Sequence, residues 1–579
     1  MPVAPALTRS FVPADLDPAD WADVEPLFAS LQSRALSTVD EALAWLGDYS
    51  ELMCVVSEYG SRVNIDKACD TESDDVDKAF LNWVEAIQPK LKPIRDALER
   101  KLLDSGLADD LPADRFAVMV RDWRTGVELF HAENVALQTQ LTKLASDYDK
   151  HMGGLTVDFR GQTYNLPQLA KFQEDTDRGT REDAWRLDAA QRQTVRDAND
   201  AVFSKQVALR DQMAKNAGLP SYIDWAWRDM GRHDYTAQDC ADFCDAIAEV
   251  CVPMERALND QRRQTMGVDT LRPWDANADA LGRPPLSPFP ADDATPLVKG
   301  CHAIFASIDT GLAEDFGQLK TGRNLDLVSR KGKRGGGFQA SLPERREPFI
   351  FMNTAGRQID VRVLLHEAGH AFHYQWASHA LDNYFLQHAP IEFAEVASMS
   401  MELFGLSKLG RFYPGDDDAS RRAQLSMLEG IVRFFPWMAA IDRFQHWVYA
   451  NPAHTVDERT AAWRTITDTY GTRHGGVGTD WSGLDAERDS YWQRQIHLFH
   501  YPFYYVEYGI AQLGALQLWQ QFRSDPRQAL ANYRRALALG GTRTLPELFE
   551  AAEIRFDFSK DTLAPLMQDV MQAIEALLS

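Results

Sequence analysis

Residues 359–380, IDVRVLLHEAGHAFHYQWASHA, read as one uninterrupted helix and set the terms for the rest of the chain. Val363, Leu364, Leu365, Ala368, Ala371 and Phe372 give the segment an apolar body that no proline breaks. Into that body the sequence sets His366, Glu367 and His370 in the HExxH spacing. On a helix the two histidines project from one face one turn apart, so both imidazoles can reach a single tetrahedral ion while Glu367 faces a water bound to it. The alternative is a pair of satisfied core histidines flanking a solvated glutamate. Burying Glu367 between two imidazoles without a cation is expensive, which favours a metal.

A catalytic zinc needs a third protein ligand and an open position. The next helical segment, PIEFAEVASMSMELF at 390–404, offers Glu392, Glu395 and Glu402. Glu395 and Glu402 are seven residues apart and share a face, whereas Glu392 lies one turn back on its flank. Glu395 as ligand, with Glu402 accepting an N–H from a ligand imidazole, would complete both layers of a site; two surface carboxylates are the alternative. His373, His379 and His388 read as surface or supporting histidines rather than ligands.

Outward from these helices the pattern stays helical. Apolar positions recur at three- and four-residue spacing over 20–60, 76–104, 132–150 and 165–217, and again over 236–252, where Pro253 is expected to end the helix. Further helices are expected near 297–315 and over 389–409, 420–451, 458–470 and 487–523. Six prolines between Pro273 and Pro296 exclude a helix interior there. Residues 323–353 hold the convincing strand signals, ending in Phe349–Asn353; an exposed edge there could hold an extended peptide, and an ordinary buried strand is the equal alternative. The glycine-rich stretch 471–483 and the basic run 330–334 read as mobile loops. The fold class is therefore mainly α: a helical N-terminal portion over 1–200 and a second portion over 201–579 carrying a small β element beside the metal site.

A formal charge of −24 argues against a nucleic-acid partner, and no stretch approaches the roughly 18 apolar residues of a membrane span. The N-terminus lacks a charged region followed by an apolar one, and the six cysteines form no CxxC pair. A cytoplasmic setting with free thiols is expected.

With those residues in place, the chain resembles the oligoendopeptidase F and thimet oligopeptidase family of zinc peptidases. The likeness rests on HEAGHAFH at 366–373, on Glu395 twenty-five residues after the second motif histidine, on Glu402, and on the approach GGGFQASLPERREPFIFMNTAGRQIDVRVLLHEAGH. A second block, HLFHYPFYYVEYGIAQLGA at 497–515, resembles the family's C-terminal His and Tyr cluster. The resemblance implies one zinc ion on His366, His370 and Glu395, Glu367 as general base, and oxyanion stabilisation by His497, Tyr505 and Tyr508. It further implies substrate contacts from Gly336, Gly337, Phe338, Tyr501 and Tyr504, and cleavage of short peptides in a deep channel between the two portions. From the residues alone, a Tyr O–H or His N–H aimed at a developing oxyanion lowers its barrier, and Tyr501, Tyr505 and Tyr508 are expected to share one helical face. An aromatic core stripe is the competing reading. Two other functions stay open: a helical metallocarboxypeptidase, and an inactive peptide-binding module on the same scaffold.

Overall fold

Helices carry most of the chain in the computed structural model, which describes residues 6–330, 332–473 and 475–579. The Cα packing resolves two compact units interleaved along the sequence. One comprises Met1–Glu128, Ser287–Gln424 and Ala511–Phe556, the other Leu129–Leu286, Leu425–Ile510 and Asp557–Ser579. Residue 200, the expected junction, lies inside the helix Arg196–Asn216. Helical periodicity shows that a segment has a buried face but not which core receives it.

In the first unit, the helix Val39–Cys69 starts at a capping box in which Thr38 and Glu41 satisfy each other's backbone N–H groups. It sends Trp45, Tyr49, Leu52 and Val56 into a core with Phe28, Leu31, Leu98 and Leu102, which Leu386 joins from much later in the chain. A three-stranded sheet follows in the order Leu325–Val328, Glu347–Thr354, Phe338–Leu342. The first pair is parallel with Leu325 opposite Ile350, and the second antiparallel with Phe338 opposite Phe351. Glu347–Thr354 is thus the central strand, paired on both sides. The expectation of a free edge at Phe349–Asn353 is corrected: the free edge beside the motif helix belongs to Phe338–Leu342.

The basic run is no loose loop either. The side chain of Lys333 is wholly buried, and its Nζ donates to Asp326 Oδ1 at 2.8 Å and to the carbonyls of Val328 and Met352 at 3.0 and 2.6 Å. Lys331 lies outside the described residues. With the Asp326 carbonyl at 3.1 Å, four acceptors surround one ammonium, which explains why a strongly hydrated side chain can be buried here.

Among its described residues the second unit is helical apart from one hairpin, Thr156–Phe159 with Gln162–Asn165, which the sequence reading did not anticipate. Arg160 and Gly161 both adopt left-handed φ, 52° and 79°, as a two-residue hairpin turn requires. Four-residue strands joined by Arg-Gly give little periodic signal. The helix from Ala237 also departs from expectation, running through Pro253 to Met266. Burial of Phe243, Cys244, Ile247, Cys251 and Leu258 along it outweighs the backbone bond that proline removes. The stretch 471–483 is pinned rather than mobile. Asn259 donates to the carbonyls of Gly475 and Val477 at 2.8 and 3.0 Å. A Cβ on Gly476 would lie 1.9 Å from Glu255 Oε1, so only glycine passes at this point. His474 lies outside the described residues. The expected helix 487–523 divides into Asp485–Asp489, a 3₁₀ turn at Tyr491–Arg494, Ile496–His500 and Tyr505–Ser524.

Candidate metal centre

The motif helix spans Gln358–Ala380, and Asp360 caps it by accepting from the N–H groups of Ala355 and Arg357 at 2.8 and 2.9 Å. That fixes the helix start directly after the central strand. Its apolar side chains anchor it from both flanks, with Val361, Leu364, Leu365, Ala368, Ala371 and Phe372 all buried. The helix Ile391–Gly405 crosses it at Gly369. A Cβ there would sit 2.6 Å from Ser398 Cα and 2.7 Å from the Ala397 carbonyl, so the missing side chain is what lets the backbones meet. Glu395, one turn before Ser398, is thereby delivered to the histidines.

His366 Nε2 and His370 Nε2 lie 3.4 and 3.5 Å from Glu395 Oε2. One ligand atom from each of the three residues falls within 4.8 Å of the others, an arrangement that could hold a metal ion. Glu402 Oε1 is 2.7 Å from His366 Nδ1, which leaves Nε2 as the nitrogen presented to Glu395. The other Glu402 oxygen accepts from Arg362 Nε. Ser398 Oγ lies 2.9 Å from Glu395 Oε2 and fixes that carboxylate in turn.

The electrostatics fit a cation. Glu367, Glu395 and Glu402 are all buried around two imidazoles, and Arg362 pairs with Glu402. Burial raises the carboxyl of Glu395, yet the facing His370 and His366 hold it well below its ordinary value. For Glu402, too, burial is outweighed, here first by the charge of Arg362. Glu367 goes the other way: burial pushes its carboxyl up despite His366 and His370. This donor set, two nitrogens and a carboxylate with a supporting carboxylate behind, suits a divalent metal ion such as zinc. His373 is buried against Phe393, and its pKa is pushed down to about 3 by burial, so it is neutral and stands apart from the trio. Glu392 is buried but does not join them.

Gly337 lies against the general-base candidate, since a Cβ on it would be 3.7 Å from Glu367 Oε1 and 3.4 Å from the Phe351 carbonyl. Phe338 stacks on Phe351 with centroids 4.9 Å apart. Asn353 Nδ2 holds the Gly336 carbonyl at 2.9 Å. The three positions Gly336–Phe338 therefore form the start of the free strand edge beside Glu367.

In the second unit, His497 gathers Tyr504, Tyr505 and Tyr508 at ring distances of 5.7, 5.1 and 5.9 Å. Tyr505 is buried, which raises its pKa. The expectation that Tyr501 shares a helical face with Tyr505 and Tyr508 is corrected. The helix begins at Tyr505, and Tyr501 lies before it in a turn, 58% exposed beside His500. Sequence reasoning missed Arg362 and Ser398. Each is readable only once the partner helices are placed, as the residue one turn before His366 and the residue one turn after Glu395.

A mainly helical body carrying HExxH and a glutamate on the following helix defines a class, that of helical metallopeptidase-like proteins. The model of peptidase family M3 matches residues 171–567, and that of the M3 N-terminal domain matches residues 11–130. The chain belongs to peptidase family M3. It is 24% identical over 271 residues to the oligoendopeptidase F homolog of Borreliella burgdorferi, an alignment covering 44% of each chain. With the oligoendopeptidase F homolog of Mycoplasma pneumoniae it shares 22% identity across 68% of this chain and 64% of that one. The match thus spans less than two thirds of either relative. Among solved structures, PZ peptidase A with an inhibitor superposes with a TM-score of 0.90 at 25% identity, covering 98% of this chain and 99% of that one.

Proposed function

We propose that the chain is a zinc-dependent oligoendopeptidase that hydrolyses internal bonds of short peptides. The observation that carries this reading is the convergence of His366, His370 and Glu395 beside Glu367 at the start of a free strand edge. Zinc held by that trio would polarise the scissile carbonyl and lower the pKa of a water.

The chain's own residues account for the rest. Glu367 Oε takes a proton from the attacking water and later returns it to the leaving amine; burial raises its pKa, which helps it hold that proton between the two steps. Glu402 accepts the Nδ1–H of His366 and keeps Nε2 free as a donor atom. The edge of Phe338–Leu342 pairs with an extended peptide through main-chain hydrogen bonds, which read backbone more than side chains. Gly336 and Gly337 let that backbone come close. Stabilisation of the oxyanion is assigned to His497 with Tyr505 and Tyr508, supported by the clustering of their rings. Tyr501 and Tyr504 complete the assignment as substrate contacts. The six unpaired cysteines suit a reducing, cytoplasmic setting.

The test combines metal analysis of the purified protein with mass spectrometry of a peptide-library digest. One zinc per chain and cuts at internal bonds of short, blocked peptides are expected. Cleavage that needs a free C-terminus and removes single residues would instead establish a carboxypeptidase, and metal binding with no cleavage at all would establish a binding module.

A further inference from the structure

We propose that Arg362 is a specificity-determining residue that takes a carboxylate of the substrate. The inference rests on the peptidase reading and names a substrate feature for the same site.

Arg362 stands one turn before His366 on the ligand-bearing side of the motif helix, a rise of about 6 Å. Its Nε donates to Glu402 Oε2, the oxygen that His366 does not use. The guanidinium is therefore oriented through one edge only. Among the described residues its Nη1 and Nη2 groups donate no hydrogen bond, and the side chain is 29% exposed. A planar fork of N–H donors that never loses its charge is thus held open beside the metal ligands. Ile359, further back along the same side, is 43% exposed, so an apolar surface flanks the fork.

Such a fork matches a carboxylate, which it binds bidentately, better than a lone backbone carbonyl. An extended chain advances about 3.4 Å per residue, so a carboxylate on Arg362 belongs two or three residues from the scissile bond. The carboxylate comes either from the peptide's C-terminus or from an Asp or Glu side chain. A role limited to neutralising Glu402 would give no such discrimination, and this is where the two accounts separate.

The experiment compares matched peptides with the zinc-loaded protein. One arm sets each free acid against its C-terminal amide. The other, in the amide background, sets Asp against Asn at each position within three residues of the cleaved bond. In the wild-type protein kcat/KM for the carboxylate member of a pair is expected to be roughly ten- to a hundredfold higher, the effect of one charged hydrogen-bonded contact. The first arm identifies a terminal carboxylate and the second a side chain. Arg362→Gln should remove the preference and Arg362→Lys should keep part of it. Binding of the same pairs to Glu367→Gln should show the same ratio in Kd, a readout that needs no turnover. Equal rates within every pair in the wild type, or a preference that survives Arg362→Gln, overturns the assignment while leaving the peptidase intact. Failure of the wild type to cut any peptide overturns the peptidase reading itself.

Discussion

Glu367 and Glu395 are buried carboxylates beside the same two imidazoles, yet the protein drives them apart. Glu395 is faced end-on by both Nε2 atoms and tied by Ser398, which favours its ionised form; Glu367 is left to the effect of burial. Titratable neighbours separated in this way take different roles. Glu367→Gln is expected to bind zinc as the wild type does while turnover falls by about a hundredfold or more. Glu395→Ala should lose the metal, and retention of zinc in metal analysis would transfer the third position to Glu392 or Glu402. Ser398→Ala removes the hydroxyl that orients Glu395, and zinc affinity measured by competition with a chelating dye should weaken roughly tenfold. The two histidines were legible in the sequence because helical spacing brings them to one face, whereas Glu395, on the next helix, reaches them only through the crossing at Gly369. Ser398 and Arg362 were not, because their meaning depends on contacts across two helices.

The crossing of the two helices that carry the candidate metal ligands is set by one missing methyl group. Gly369→Ala would place a carbon 2.6 Å from Ser398 Cα, against backbone that has no side-chain torsion to relieve it. Overpacking of this kind costs about 1–3 kcal/mol, and here the displacement falls on the helix that carries Glu395. Thermal melting should show a lower midpoint together with weaker zinc binding; an unchanged affinity would mean that the helices separate elsewhere.

In the second unit the pinned glycine loop supplies a pH prediction. Glu255 is buried beneath Gly476, accepts from Val477 N at 3.4 Å, and is pushed by burial up to about 8, with Arg433 pulling the other way. The folded protein therefore holds this proton more tightly than the unfolded chain. Stability is lost as pH rises from the ordinary carboxyl range through about 8. Glu255→Gln keeps an acceptor for Val477 without the charge. Its melting temperature relative to wild type should rise between pH 5 and pH 9, and a difference that is flat with pH would remove Glu255 as the cause. Glycines at 471–483 suggested mobility because composition reports what a loop permits, while Asn259 and Glu255, two hundred residues earlier, decide what it does.

At the scale of the molecule, a long helical front portion was legible in the sequence, whereas its boundary was not. The M3 N-terminal domain model ends at residue 130, beside the point where the chain leaves the first unit, between Glu128 and Leu129. Residues 1–200 would therefore contain part of one unit and part of the other, cut within Arg196–Asn216. The missing pieces are specific. Phe385 packs on Tyr49 and Trp123 at ring distances of 4.7 and 5.1 Å, and Ser50 Oγ accepts from Tyr384 N at 2.8 Å. Leu386 completes the same core. A fragment without residues 381–386 exposes those aromatics and gains nothing in return, since conformational entropy is still lost on ordering each of its helices. Expressed alone, residues 1–200 should show helical circular dichroism but a broad, non-cooperative melt, bind a hydrophobic dye, and be digested throughout by a dilute protease. The full chain should melt cooperatively under the same conditions. A sharp transition and a protease-resistant core in the fragment would restore an independent N-terminal domain ending near residue 200. The expected result would instead mean that the first unit forms only after the segment carrying His366, His370 and Glu395 has been made, so that its core and its metal ligands are completed by the same stretch of chain.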